Sequence, residues 1–252
     1  MEVHHHSHIA DPDSHRGRKK WTHYFWEFLM LFLAVFCGFL AENQREHIVE
    51  HQREKQYMRS MTEDVMKDTS MLSGRERLAK NVAVYIDTML GVLQNRKLDG
   101  ASLAIIYRAN LRSLSFFAPG FTDRTSSQLK NSGAMRLIRK QKIADSIIGY
   151  WNQIDLIVKA NDQAEEYKMK ARDKSYSIFD QKYYTNRGAG AVGVNDPYPK
   201  LMTEDNMQLT EYANRLSHIR NLITNVYVPM IIIQKQKAET LIELIKKEYH
   251  LK

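Results

Sequence analysis

The sequence predicts an all-α protein, with one N-terminal transmembrane helix continuing into an outward antiparallel helical bundle. Three observations carry this. Residues 21–41 form an apolar stretch long enough to cross a bilayer. Beyond it, apolar side chains recur in steps of three and four, the period of a helix with one buried face. Turn formers are scarce, with eleven glycines and five prolines in 252 residues, and no strand alternation of useful length occurs. An all-β sandwich or barrel needs more turns than that.

The first element is the span, WTHYFWEFLMLFLAVFCGFLA over residues 21–41. At about 1.5 Å per residue it covers roughly 30 Å, the hydrocarbon thickness of a bilayer. Trp21, Tyr24 and Trp26 cluster at one end, where amphipathic rings favour the headgroup level. A signal peptide is the competing reading, but cleavage after Ala41 would put Phe39 at −3, where a small residue is needed. Apolar residues on every face argue against a core helix. Glu27 lies about two turns into the span, shallow enough to snorkel with the help of His23. Arg16, Arg18, Lys19 and Lys20 crowd the N-terminal edge, whereas Arg45, Arg53 and Lys55 are mixed with glutamates. The positive-inside rule therefore puts residues 1–20 in the cytoplasm and 42–252 outside, in the periplasm of a Gram-negative cell. The single cysteine, Cys37, lies inside the span. An internal disulfide and a Cys-rich zinc site are excluded.

Next comes a polar helical stalk over residues 42–57, then a bundle domain over 58–252. Leu40 to Ser73 contain neither Gly nor Pro, so the membrane helix is expected to run unbroken to about Leu72. Ser73-Gly74 marks a kink, after which Leu78, Val82, Ile86, Met89 and Leu93 resume the stripe. Leu103, Tyr107, Leu111 and Leu114 make a second helix ending at Pro119-Gly120. Residues 122–131 make a third, closed by Gly133 as C′ residue. Ile143, Ile147, Trp151, Ile154 and Val158 form the most regular stripe, reaching about Tyr184 or breaking near Asn161-Asp162. Residues 187–200, RGAGAVGVNDPYPK, read as a loop. A final pair covers 203–227 and 230–249, with Pro229 as a kink between them.

Several stretches resemble a group of uncharacterised single-span membrane proteins from Bacteroidota, known as a domain of unknown function. They are the MEVHHHSH start with its basic cluster, EFLMLFLAVFCGFLAENQREH, EKQYMRSMTEDVMKD, and SSQLKNSGAMRLIRKQKIADSIIGYWNQI, where Trp151 replaces a second tyrosine. The likeness covers most of residues 1–160. It implies an inner-membrane anchor with a helical outer domain and implies no activity.

Four motifs carry possible chemistry. His47, Glu50 and His51 fit H-x-x-E-H, the inverted zinc-peptidase pattern, with both histidines on one helical face and Glu50 placed to activate water. The pattern needs a third ligand, and no glutamate stands where that family would place one; a solvated helix face is the simpler reading. Gly188, Gly190 and Gly193 fit G-x-G-x-x-G, but they follow a helix rather than a strand, so a loop is expected and not a nucleotide site. His4, His5, His6, His8 and His15 form a His-rich tail, read as at most an adventitious metal site. Residues 1–41 carry four basic and four acidic side chains, so the formal net charge of +8 belongs to the rest of the chain. Clusters such as Arg136, Arg139, Lys140 and Lys142 would suit nucleic acid in the cytosol. Outside the membrane they suit anionic headgroups, cell-wall polymer or an acidic partner, with plain solvation the simplest reading.

These observations place no catalytic residue, metal ligand or cofactor site. The expected function is non-enzymatic: a membrane-anchored interaction or sensor protein. Its expected partners are the lipid bilayer and either another protein or a second copy, with no nucleic acid and no small-molecule substrate identified. Too little chain precedes the span for an output domain, so signalling would need a membrane partner. The alternative is a membrane-tethered zinc metallopeptidase built on His47, Glu50 and His51.

Overall fold

The computed structural model describes residues 17–96, 98–115, 119–186, 192–194 and 198–251. Among them the main elements are α1 (Gly17–Gln94), α2 (Gly100–Ser113), α3 (Arg124–Asn131), α4 (Gln141–Tyr176), α5 (Asn206–Leu222) and α6 (Val228–Tyr249). The all-α expectation holds. The chain divides into two units, Met1–Arg53 and Glu54–Lys252, and α1 contributes to both.

In the first unit the apolar stretch lies on α1 with none of its most apolar window buried. Trp21, Phe28, Leu31, Val35 and Phe39 are all well over half exposed. Phe28, Phe32 and Phe36 stack along one face, with centroids 6.4 and 5.9 Å apart. His23 Nε2 lies 3.3 Å from Glu27 Oε1, the pairing that their one-turn spacing allows. Past the stretch, Arg45 forks onto Glu42 at 2.6 and 2.9 Å on a solvated face.

α1 passes through Ser73-Gly74 without interruption, against the expected kink. A helical glycine costs about 1 kcal/mol. Leu72, Ala79 and Val82 are fully buried on either side of it, and their packing outweighs that cost. α2 stops at Ser113, short of Pro119-Gly120. Gly133 follows α3 with φ of +66°, the left-handed C′ position where glycine is free of strain. α4 runs unbroken past Asn161 and stops at Tyr176, not near Tyr184. The reason lies in Ile178 and Phe179, adjacent and both fully buried. Phe179 forms an antiparallel bridge with Leu201, and the Ile178 carbonyl accepts from the Met202 N–H at 2.9 Å, so the backbone leaves the helix to pair with that segment.

The stretch expected to be all loop contains strand pairing. β1 (Tyr184–Asn186) and β2 (Val192–Val194) are antiparallel, with Tyr184 opposite Val194 and Asn186 opposite Val192. Pro229 does not split the last helices. It lacks an N–H and its ring crowds the carbonyl four residues back. The backbone accommodates this with a π-helical turn over Ile223–Tyr227 that joins α5 to α6 as one rod.

Three rods build the second unit: α1 from Glu54 onward, α4, and α5–α6. Their directions follow from the ties between them. Glu54 meets Tyr249, Glu76 meets Lys235 and Asp87 meets Arg220, so α1 runs against α6 and α5. Gln234 meets Tyr150 and Glu211 meets Lys174, so α4 also runs against them. The unit begins at Glu54 rather than at residue 58, because the Glu54 carboxylate is itself buried. It accepts from the Arg139 N–H at 2.9 Å and from the Tyr249 hydroxyl at 2.5 Å.

The apolar interior forms two clusters. Met58, Val65, Ile147, Trp151 and Leu241 belong to one, and Leu72, Ile86, Ile157, Leu216 and Ile231 to the other. At their junction lie Asp68, between Val65 and Leu72 on α1, and Gln234, between Ile231 and Ala238 on α6. Both are buried, as is Tyr150 of α4. The Tyr150 hydroxyl donates to Asp68 Oδ2 at 2.8 Å, the Thr122 N–H donates to Asp68 Oδ1 at 2.8 Å, and Gln234 Nε2 donates to the Tyr150 carbonyl at 3.2 Å. No lysine or arginine among the described residues pairs with Asp68. Burial pushes its carboxyl above the usual range, against the lowering effect of these hydrogen bonds. Burial and the Asp68 charge together hold the Tyr150 proton on its phenol.

Two outcomes follow for a chain of residues 54–252, which is expected to be soluble, helical and cooperative in unfolding. Ile147 is fully buried, so Ile147→Asp should cost about 4 kcal/mol in urea unfolding. Melting like the wild type would show that this face is not core. The second concerns acid. A carboxyl raised in the folded state binds its proton more readily there than when unfolded, so its ionisation penalty applies fully above the folded value and vanishes below about 3.8. Asp68→Asn should therefore stabilise most near neutral pH, and that advantage should shrink as pH falls towards 4. An advantage that grows on acidification would contradict the assignment.

Candidate functional site

The motifs of the sequence do not assemble into a site. His47, Glu50 and His51 lie on α1 with both histidines exposed. Among the described residues no three His, Cys, Asp or Glu side chains converge as metal ligands, so the third ligand that H-x-x-E-H needs is not brought to them. His4, His5, His6, His8 and His15 lie outside the described residues, as do Gly188 and Gly190. Gly193 sits in β2 opposite Thr185, a strand position rather than a phosphate-binding turn. Of the basic cluster, Lys140 is spent on Glu248 at 2.5 Å and lies over the Tyr249 ring, while Arg136 and Lys142 are exposed.

A cleft of about 210 Å³ instead forms where α2, the end of α4 and the start of β1 meet. At its other end α2 is capped by Asp99, whose carboxylate accepts from the Ser102 N–H at 2.8 Å. Tyr107, fully buried on α2, ties that helix to the segments that follow α4. Its hydroxyl donates to the Lys200 carbonyl at 2.7 Å and accepts from the Asp180 N–H at 2.9 Å. Phe179, Tyr183 and Tyr184 pack around its ring at 4.9 to 5.5 Å. Burial pushes the Tyr107 phenol up to about 12, so it stays protonated at any physiological pH.

One turn on, Asn110 joins two more tyrosines. The Tyr212 hydroxyl donates to Asn110 Oδ1 at 2.7 Å, and Asn110 Nδ2 donates to the Tyr184 oxygen at 2.8 Å. This orientation of the amide follows from burial. Tyr212 is fully buried and has no other acceptor among the described residues, so its proton must go to Oδ1. The Tyr184 oxygen therefore accepts, and its own proton goes to no described residue. Tyr184 lines the cleft, and burial raises its phenol well above the usual value.

Arg172 of α4 lines the opposite part. It is half-buried, one N–H lies 3.5 Å from Met169 Sδ, and it forms no ion pair among the described residues. Ser115 and Ser175 donate to the carbonyls of Leu111 and Arg172, which leaves their oxygens to accept. Leu111, Leu114, Tyr176 and Gln181 complete the lining, which contains no Asp or Glu. A second, larger depression, lined by Arg59, Glu63 and His250, carries both signs of charge, and its Glu63 already pairs with Arg124.

Nothing in the sequence reading pointed to Arg172 or Tyr184. The one available signal was Asn110, a polar residue among the apolar positions of α2. Searches of known protein families, curated proteins and solved structures find no match to this chain.

Proposed function

We propose that the chain is a single-span membrane protein with its N-terminus in the cytoplasm. Its helical domain works outside the inner membrane by binding a partner or ligand, without catalysis of its own. The observation that carries this is the exposure of the apolar stretch on α1. Each large apolar side chain left in water forgoes about 1.5–3 kcal/mol of burial. No described residue of the chain covers Trp21, Phe28, Leu31 or Phe39. A bilayer supplies that cover, and the length of the stretch fits it.

Other features support the same reading. The basic residues Arg16, Arg18, Lys19 and Lys20 crowd one end of the stretch, as a cytoplasmic flank does. The buried carboxylates Glu54, Asp64 and Asp68 of the second unit bond to side-chain hydroxyls and backbone N–H groups, as structural groups do. The resemblance to the Bacteroidota family implies the same anchor and outer helical domain. Nucleic acid is not expected as a partner on that side of the membrane.

A reporter enzyme that is active only outside the cytoplasm tests the topology. Fused after Lys252 it should be active in cells, and fused before Met1 it should be silent. The reverse pattern would overturn the orientation. Recovery of the chain in the soluble fraction after mild lysis would overturn the membrane anchor itself.

A further inference from the structure

We infer that the cleft at the ends of α2 and α4 binds a small monocarboxylate, with Arg172 holding the carboxylate and the Tyr184 hydroxyl donating to it. The inference does not depend on the membrane reading. It starts from the imbalance of hydrogen-bonding groups in the lining. Arg172 brings a planar fork of N–H donors, and its only described hydrogen bond is a long contact to a thioether sulfur. A guanidinium presented this way matches the two oxygens of a carboxylate, with charge-assisted bonds about twice as strong as neutral ones. Tyr184 adds one O–H donor, freed because Asn110 already occupies its acceptor side and Tyr212 occupies the amide oxygen.

The charge of the lining selects the class. One guanidinium faces no Asp or Glu in the cleft, so a single negative charge is balanced and a phosphate dianion is not. The absence of a carboxylate also leaves nothing to pair with an ammonium group, which disfavours a free amino acid. Leu111, Leu114 and the Tyr176 ring provide an apolar wall for the rest of the ligand. A volume of about 210 Å³ is below the range of drug-sized sites, so the ligand is small. The Ser115 and Ser175 oxygens and the Gln181 amide are available to a hydroxyl or keto substituent.

Benzoate is a suitable probe, with the full chain in a neutral detergent and binding read by calorimetry and saturation-transfer NMR. Saturable binding with Kd of about 1 mM or tighter is expected. Benzamide, which keeps the ring without the charge, phenylalanine, which adds an ammonium, and inorganic phosphate should each bind at least about 10-fold more weakly. R172Q should weaken benzoate by about 10-fold or more, and Y184F by about 5-fold. The unliganded melting temperature reports the fold of each variant, and R172K, which keeps the charge but loses the fork, should retain part of the affinity if R172Q does not fold. Benzoate binding unchanged in folded R172Q and Y184F would overturn the inference. So would benzamide, phenylalanine or phosphate binding as tightly as benzoate, or no saturable benzoate binding.

Discussion

The hydrogen bond from Tyr150 to Asp68 sits where the two apolar clusters of the second unit meet, and it fixes α1 against α4 there. A carboxylate buried without a cation is costly, and it is tolerable only where its lone pairs are filled. Asp68 reaches that condition through one donor from α4 and one N–H from Thr122, the segment just before α3. Gln234 of α6 closes the layer by holding the Tyr150 carbonyl. Sliding α1 or α4 by a turn would strand the Asp68 charge in an apolar cluster, whereas Met58, Ile147 or Leu241 would tolerate exchange for a neighbour of similar volume. Apolar packing makes the unit stable, and this polar layer makes the packing unique.

The same use of α1 recurs along its length. The N-cap residue of α3, Asp123, makes no capping bond of its own. Asp64 of α1 takes that role, accepting from the Thr125 N–H at 3.1 Å and its hydroxyl at 2.5 Å, with Arg124 at 2.8 Å. Glu54 plays a similar part for the Arg139 N–H and the Tyr249 hydroxyl. Short segments that could not hold a helix alone are thus ordered by carboxylates on a long one.

Much of the fold was legible because helical periodicity is a long-range signal. The stripes at Val82–Leu93, Ile143–Trp151 and Leu241–Ile245 stand on buried faces as read, while at the start of the first it is Ala79 rather than Leu78 that is buried. The misreadings were local. Gly74 and Pro229 read as kinks in the sequence, yet α1 runs through the glycine and a π-helical turn precedes the proline. Val158 was assigned to the stripe of α4, but Ile157 is the buried residue and Val158 stands outward, because the buried face drifts around so long a helix. The cleft was illegible for a different reason. Arg172, Tyr184 and Asn110 come from three elements distant in sequence, and what sets them apart is which of their hydrogen bonds are already filled. No pattern in a single sequence carries that information.

The exposed apolar stretch, the bundle and the cleft are separate features, but the bundle's geometry presents the cleft, and Asp68 and Tyr150 join two of its rods. A double-mutant cycle on residues 54–252 measures that interaction directly. Asp68→Ala, Tyr150→Phe and the combined change would be compared by urea unfolding at neutral pH. A coupling of about 1–3 kcal/mol between the two sites is expected for a buried charged hydrogen bond. Additive single effects, with coupling near zero, would show that the rods are registered by something else.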